Sequence, residues 1–146
     1  MIKIRLLWVG KNKESYLNDG IAHYLKLLKP MAHVSIVEIK EEKNKTGRAA
    51  LALEAKRIFD KTQSYILLDE KGKEHTSVGL AGFIKDKAAL DFVIGGPFGV
   101  DEEVKTKASL TLALSKMTLT HEMSRLILLE QLYRAMSITK GRGYHH

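Results

Sequence analysis

Two loops and a tail carry the residue types that could hold a ligand or move a chemical group. Gly95-Gly96-Pro97-Phe98-Gly99 sets three glycines around a proline. That composition allows unusual backbone dihedrals and close approach to a ligand, and it also suits a plain strand-to-helix turn. Ser115-Lys116-Met117-Thr118-Leu119-Thr120 offers three hydroxyls and a run of backbone amides, with Thr120 placed to cap a following helix. Lys140, Arg142, Tyr144 and His145 make a short basic, aromatic tail. Asp69 adds a carboxylate directly after an apolar run.

Several chemistries are excluded or disfavoured. The chain has no cysteine, so disulfides, thiolate metal sites and cysteine nucleophiles are absent. Its histidines, at 23, 33, 75, 121, 145 and 146, never pair as His-Glu-x-x-His, and no metal site is expected. There is no P-loop, no Gly-x-Ser-x-Gly and no Gly-x-Gly-x-x-Gly after the first strand, where Gly10 stands alone. A receiver-like domain with Asp69 as phosphoacceptor would want further acids at the first strand exit, which reads Gly10-Lys11-Asn12-Lys13.

The elements that must position these loops follow from the apolar pattern. Ile2–Val9 alternates and then turns fully apolar, as a strand entering a buried sheet does. Further strands are predicted over Val34–Ile39, Ser64–Leu68, Leu90–Ile94 and Leu110–Leu114, with a turn over 70–73. Helices are predicted from Ser15, which could act as a cap, to Pro30, from Arg48 to Asp60, after a cap at Ser77, and after Asp101. The last helix, about His121 to Ile138, is apolar on more than one face, which predicts burial on more than one side. Strand and helix alternate about five times. The expected fold is a single α/β domain over 1–146, its mainly parallel sheet covered by helices on both faces. Ligands bind beyond the carboxyl ends of strands in such sheets, and here those ends are Gly10, Asp69, Gly95-Gly96 and Ser115-Lys116.

The formal charge of +7 favours a polyanionic partner. No apolar run reaches the roughly 20 residues that span a bilayer, so no membrane contact is expected. The absence of cysteine fits a cytoplasmic protein.

Taken together, Ile94-Gly-Gly-Pro-Phe-Gly99, Leu114-Ser-Lys-Met-Thr-Leu-Thr-His121, Arg125, Glu130-Gln-Leu-Tyr-Arg-Ala135, Ile138 and Gly143-Tyr-His-His146 form a pattern. With it the chain resembles the RlmH family of large-subunit (23S) ribosomal RNA pseudouridine N3-methyltransferases, small members of the SPOUT superfamily. Leu68-Asp69-x-x-Gly72 fits the same family. The resemblance implies a deep trefoil knot within about 66–146 and S-adenosylmethionine as methyl donor, without a metal. It implies cofactor contacts from Leu68, Asp69, Gly96, Ser115, Lys116, Met117, Thr118, Leu119 and Thr120. His121, Arg125, Arg134, Tyr144 and His145 become the catalytic candidates. It further implies a homodimer with the last helix at its interface, a substrate site shared between protomers, and action on the ribosome. The family's loop usually reads Thr-Leu-Pro-His, and Thr120 stands here at the proline. A non-catalytic RNA- or ribosome-binding protein on the same fold is the alternative reading.

Overall fold

A computed structural model describes residues 1–146. The elements run β1 (Lys3–Val9), α1 (Ser15–Leu28), β2 (His33–Ile39), α2 (Gly47–Phe59), β3 (Ile66–Glu74), α3 (Ser77–Ile84), β4 (Ala89–Ile94), α4 (Glu102–Lys107), β5 (Leu110–Ala113) and α5 (His121–Thr139). The five strands form one sheet in the order β2-β1-β4-β3-β5, and every neighbouring pair is parallel. No helix is long and apolar enough to cross a membrane.

Side-chain alternation divides the core in two. Ile4, Leu6 and Trp8 of β1, with Phe92 and Ile94 of β4, meet α1, α3 and α5 in the larger cluster. The intervening Leu7, Val9 and Val93 point to the other face and meet Ala55 and Ile58 of α2 and Val104 of α4. A strand buried on both faces has no position for a polar residue, which is why β1 and β4 end as continuous apolar runs. The doubly covered parallel sheet expected from the alternation is therefore the architecture observed.

Three local expectations change. β3 does not stop at Asp69. It bulges between Leu68 and Lys73 and resumes its pairing with β5, so the anticipated turn lies inside the strand. Gly72 is required there, because a Cβ would lie 2.7 Å from the backbone carbonyl of Thr111. Thr76, not Ser77, caps α3 by accepting from the Gly79 amide, while the Ser77 hydroxyl donates to Gln131 of α5 at 2.6 Å. Glu14, not Ser15, occupies the cap position of α1, and its side chain makes no capping bond.

Much of the apolar surface of α5 finds its partners within the chain. Leu128, Leu129, Leu132, Ala135 and Met136 are buried in the larger cluster, together with residues of α1 and α3. Leu126 packs so closely on α1 that a Cβ at Gly20 would come within 2.9 Å of it. That surface seats α5 in the helical layer, while Met123 and Ile127 stay half-exposed on a further face.

Candidate active site

The bulge of β3 and the carboxyl ends of β4 and β5 open onto a cavity of about 660 Å³, within the usual range for small-molecule sites. Leu68 and Asp69 come from the β3 bulge, Ile94, Gly95 and Gly96 from the end of β4, and Ser115, Met117, Thr118, Leu119 and Thr120 from the loop between β5 and α5. His121 and Ser124, on the first turn of α5, complete the wall. Every proposed cofactor contact except Lys116 faces this space. Lys116 points away and stands 3.7 Å from Glu74.

Each loop is held in shape locally. A Cβ on Gly95 would lie 2.8 Å from the Gly99 carbonyl oxygen, so only glycine permits this turn to fold back on itself. Gly99 has φ +80, in the left-handed region that glycine tolerates. The Asp69 carboxylate accepts from the Lys71 amide at 2.9 Å, and the Ser115 hydroxyl accepts from the Met117 amide at 2.9 Å. The Thr118 hydroxyl donates to the Glu70 carboxylate, joining the β3 bulge to the β5–α5 loop across the cavity. Thr120 caps α5, accepting from the Met123 amide at 3.2 Å. Its φ of −61 is the angle that proline would impose, so the backbone here is one that proline could also adopt, and threonine adds a cap.

The lining carries both signs of charge: Asp69 and Glu70 as acids, Lys71 and Lys105 as bases. Hydroxyls and strand-end backbone groups fill the remainder. Such a set fits a ligand that pairs a zwitterionic amino-acid end with a nucleoside end, as S-adenosylmethionine does. The imidazole of His121 is pushed below its usual 6.5, first by burial and then by the neighbouring Arg125 charge.

The other catalytic candidates lie elsewhere. Arg125 is fully buried and does not line the cavity. One terminal nitrogen donates to the Val9 carbonyl at 2.6 Å and the other to Asn12 Oδ1 at 2.8 Å. Its guanidinium lies 4.9 Å from the centre of the Trp8 ring. Burial lowers its pKa to about 10. Beside it, the Glu122 carboxylate accepts from the Lys13 amide at 2.7 Å and the Glu14 amide at 3.3 Å. Burial pushes the Glu122 carboxyl up, yet these amides and the adjacent positive charges prevail and hold it below the usual range. Arg125 and Glu122 together fasten the β1–α1 loop to the last helix. Val9, held by Arg125, lies directly behind Gly96 on the cavity wall: a Cβ on Gly96 would approach it to 3.5 Å.

Arg134, Tyr144 and His145 form a second cluster around Glu130. Glu130 Oε1 accepts from Arg134 at 2.7 and 3.1 Å and from the Tyr144 hydroxyl at 3.1 Å. Arg134 Nη1 lies 3.1 Å from His145 Nδ1, and the Arg134 guanidinium sits 4.8 Å from the Tyr144 ring centre. The hydrogen bond with Tyr24, with burial and Glu130 adding to it, raises the Tyr144 pKa. Arg134 follows His121 by 13 positions on α5, which at 1.5 Å per residue is about 20 Å along the helix. One protomer therefore does not bring the tail cluster to its own cavity.

The Arg125–Val9–Asn12 and Glu122–Lys13 contacts and the Glu130 hub escape sequence reading. They join residues more than 100 positions apart, or use carboxylates indistinguishable in sequence from solvated ones.

Comparison with known proteins gives a consistent result. A family model described as "Predicted SPOUT methyltransferase" matches residues 2–145. A protein from Thermodesulfovibrio yellowstonii named "Ribosomal RNA large subunit methyltransferase H" is 45% identical over 150 residues, with all of both chains covered. One of the same name from Maridesulfovibrio salexigens is 43% identical over 160 residues, covering 100% of this chain and 99% of that one. Among solved structures, the tRNA (m1G37) methyltransferase from Aquifex aeolicus aligns with TM-score 0.55 and 15% identity, covering 91% of this chain and 69% of that one. That likeness speaks for the fold alone.

Proposed function

Since this chain belongs to the SPOUT methyltransferase family, we propose that it transfers a methyl group from S-adenosylmethionine to N3 of a pseudouridine in 23S ribosomal RNA. The observation that carries the proposal is the cavity at the β3 bulge and the carboxyl ends of β4 and β5, built by the loops the sequence pattern singles out and lined by acids, bases and hydroxyls together. The name shared by full-length relatives supports ribosomal RNA as substrate.

In this reading the backbone groups of Leu68, Gly96 and the 115–120 loop hold the nucleoside end of the cofactor. Asp69 and Glu70 face its ammonium, and Lys71 or Lys105 its carboxylate. When bound, the cofactor supplies an electrophilic methyl on a sulfonium whose departure leaves a neutral thioether. The protein's contribution is alignment and proton handling. N3 must lose its proton as the N–C bond forms. His121, neutral at pH 7 because its pKa is depressed, can accept a proton at the cavity edge. Arg134, kept cationic by its hydrogen bonds to Glu130, suits stabilisation of the N3 anion. Arg125 positions Val9 and Gly96 without touching the reacting atoms.

The separation of His121 from the Arg134–Tyr144–His145 cluster supports a homodimer in which one protomer's tail serves its partner's cavity. The same reading takes the chain as one domain whose knotted, cofactor-binding part begins near residue 66, acting on ribosomes in the cytoplasm.

The test is calorimetric titration with S-adenosylhomocysteine, followed by labelled-methyl transfer to ribosomes bearing the unmethylated pseudouridine. Binding and transfer are expected; loss of both abandons the methyltransferase reading, and RNA binding alone favours a non-catalytic protein. Mixing a His121→Ala protomer with an Arg134→Ala protomer tests the shared site. Random pairing would restore about a quarter of wild-type transfer, from heterodimers that retain one intact site. No recovery would mean that each protomer works alone.

A further inference from the structure

At the opposite end of the sheet, a groove of about 1000 Å³ runs along the amino ends of β1, β2 and β4 and under the last turn of α1. Lys3 and Arg5 face it from β1, His33 from β2, and Lys26 and Lys29 from the end of α1. The one acid in the lining is Asp91, and Arg5 already engages it through two hydrogen bonds of 2.9 and 2.5 Å. Lys3, Lys26 and Lys29 take part in no ion pair and are exposed. Complementing the α1 dipole would explain Lys26 and Lys29. It does not explain Lys3 and His33, which stand opposite each other across β1 and β2.

We propose that this groove binds the phosphodiester backbone of the RNA substrate, a contact separate from the cofactor cavity. The inference rests on the RNA reading above and adds to it. Three unpaired lysines on one concave surface can each displace a counterion from a phosphate, a sequence-independent contribution that positions RNA without reading bases. The groove and the cavity sit at opposite ends of strands seven residues long or shorter, so about 20 Å apart. A folded RNA, whose backbone spans that distance, is the partner that can touch both ends.

The test uses the full chain and a fluorescently labelled 20-base-pair RNA duplex, with binding followed by anisotropy between 50 and 200 mM KCl. Two triple variants remove equal charge: Lys3→Gln/Lys26→Gln/Lys29→Gln in the groove, and Lys43→Gln/Lys45→Gln/Lys56→Gln elsewhere. The groove variant should reduce the slope of log K against log salt by about 2 to 3 and weaken binding at least tenfold at 50 mM salt. The other should keep the wild-type slope to within about 0.5. Melting temperature and circular dichroism verify the folds; should the triple groove variant fail to fold, Lys26→Gln/Lys29→Gln at the exposed helix end should still lose about 1.5 to 2 in slope. Equal losses in both triple variants, or none in the groove variant, overturn the groove while leaving the RNA reading standing. A wild-type chain that does not bind the duplex overturns the groove, and the RNA reading then stands or falls on methyl transfer to ribosomes.

Discussion

Replacing Arg125 by methionine separates a positioning role from a chemical one. The variant keeps most of the aliphatic volume and removes a fully buried guanidinium with two hydrogen bonds, at 2.6 and 2.8 Å, and a stack on Trp8. Hydrogen bonds from a charged donor contribute about 2 kcal/mol each and the stack about 1 kcal/mol. Against this stands the cost of burying the cation. Burial lowers its pKa to about 10, equivalent to roughly 3 kcal/mol. The difference is a net loss of ~2 kcal/mol, which for a chain of this size lowers the melting temperature by about 8 °C. Because Val9 backs Gly96, cofactor affinity should fall about threefold to tenfold, while transfer at saturating cofactor stays within about threefold of wild type. Arg125→Lys should not rescue stability, since a single ammonium does not reproduce the guanidinium fork. Scanning calorimetry, S-adenosylhomocysteine titration and single-turnover methyl transfer give the three readouts. An Arg125→Met protein with unchanged melting temperature and transfer slowed a hundredfold would falsify the positioning argument and return Arg125 to the chemistry.

Three further outcomes follow from the geometry. His121 has a depressed folded pKa, so the folded state prefers it neutral. Its contribution to stability is complete above the unfolded value near 6.5 and is lost as pH falls through the folded value; kcat should likewise decline only below the usual imidazole range, and His121→Ala should abolish that limb of the pH profile. Gly72→Ala places a methyl group against the Thr111 backbone, which should cost ~1–3 kcal/mol in urea unfolding and weaken cofactor binding by shifting the β3 bulge; an unchanged midpoint would contradict the close approach. Thr120→Pro keeps φ near −61 and loses the Met123 cap; a cap loss of ~1 kcal/mol against an entropy gain of ~0.4–1 kcal/mol leaves stability within about 1 kcal/mol, whereas a collapse in melting temperature would mean that the Thr120 amide is needed.

The parts legible from sequence are those encoded over short spans. Strand alternation and the buried runs of β1 and β4 reveal a doubly covered sheet, because a burial pattern of period two survives in any local window. The cap at Thr120 and the glycine turn at 95–99 are legible for the same reason. The β3 bulge is not: Glu70-Lys71-Gly72-Lys73 has turn composition, and only the neighbouring β5 backbone makes it a strand. The apolar excess of α5 does not separate partners, since a helix flanked by α1 and α3 has the same pattern as one at a dimer interface. Arg125 looks like a catalytic cation until its distant partners Val9 and Asn12 are placed around it. Lys116 lies within a cavity-lining loop, yet points outward, and side-chain direction in an irregular loop has no sequence period.

The clasp between the first loop and the last helix has a consequence for how the chain is made. α5 supplies five of the buried residues of the larger core cluster, and its Arg125 and Glu122 close loops spanning more than 100 residues. During synthesis, the face of the sheet awaiting α5 stays uncovered until about residue 139 has left the exit tunnel. The nascent chain then carries an apolar surface with no intramolecular cover, a condition under which chains aggregate or engage chaperones. Completion therefore comes late and nearly at once: the same segment seals the core, fixes the β1–α1 loop and closes the cavity. A truncation before α5 should yield a collapsed, dye-binding species, because α1, α3 and the sheet face they cover pack against α5 in the larger core cluster.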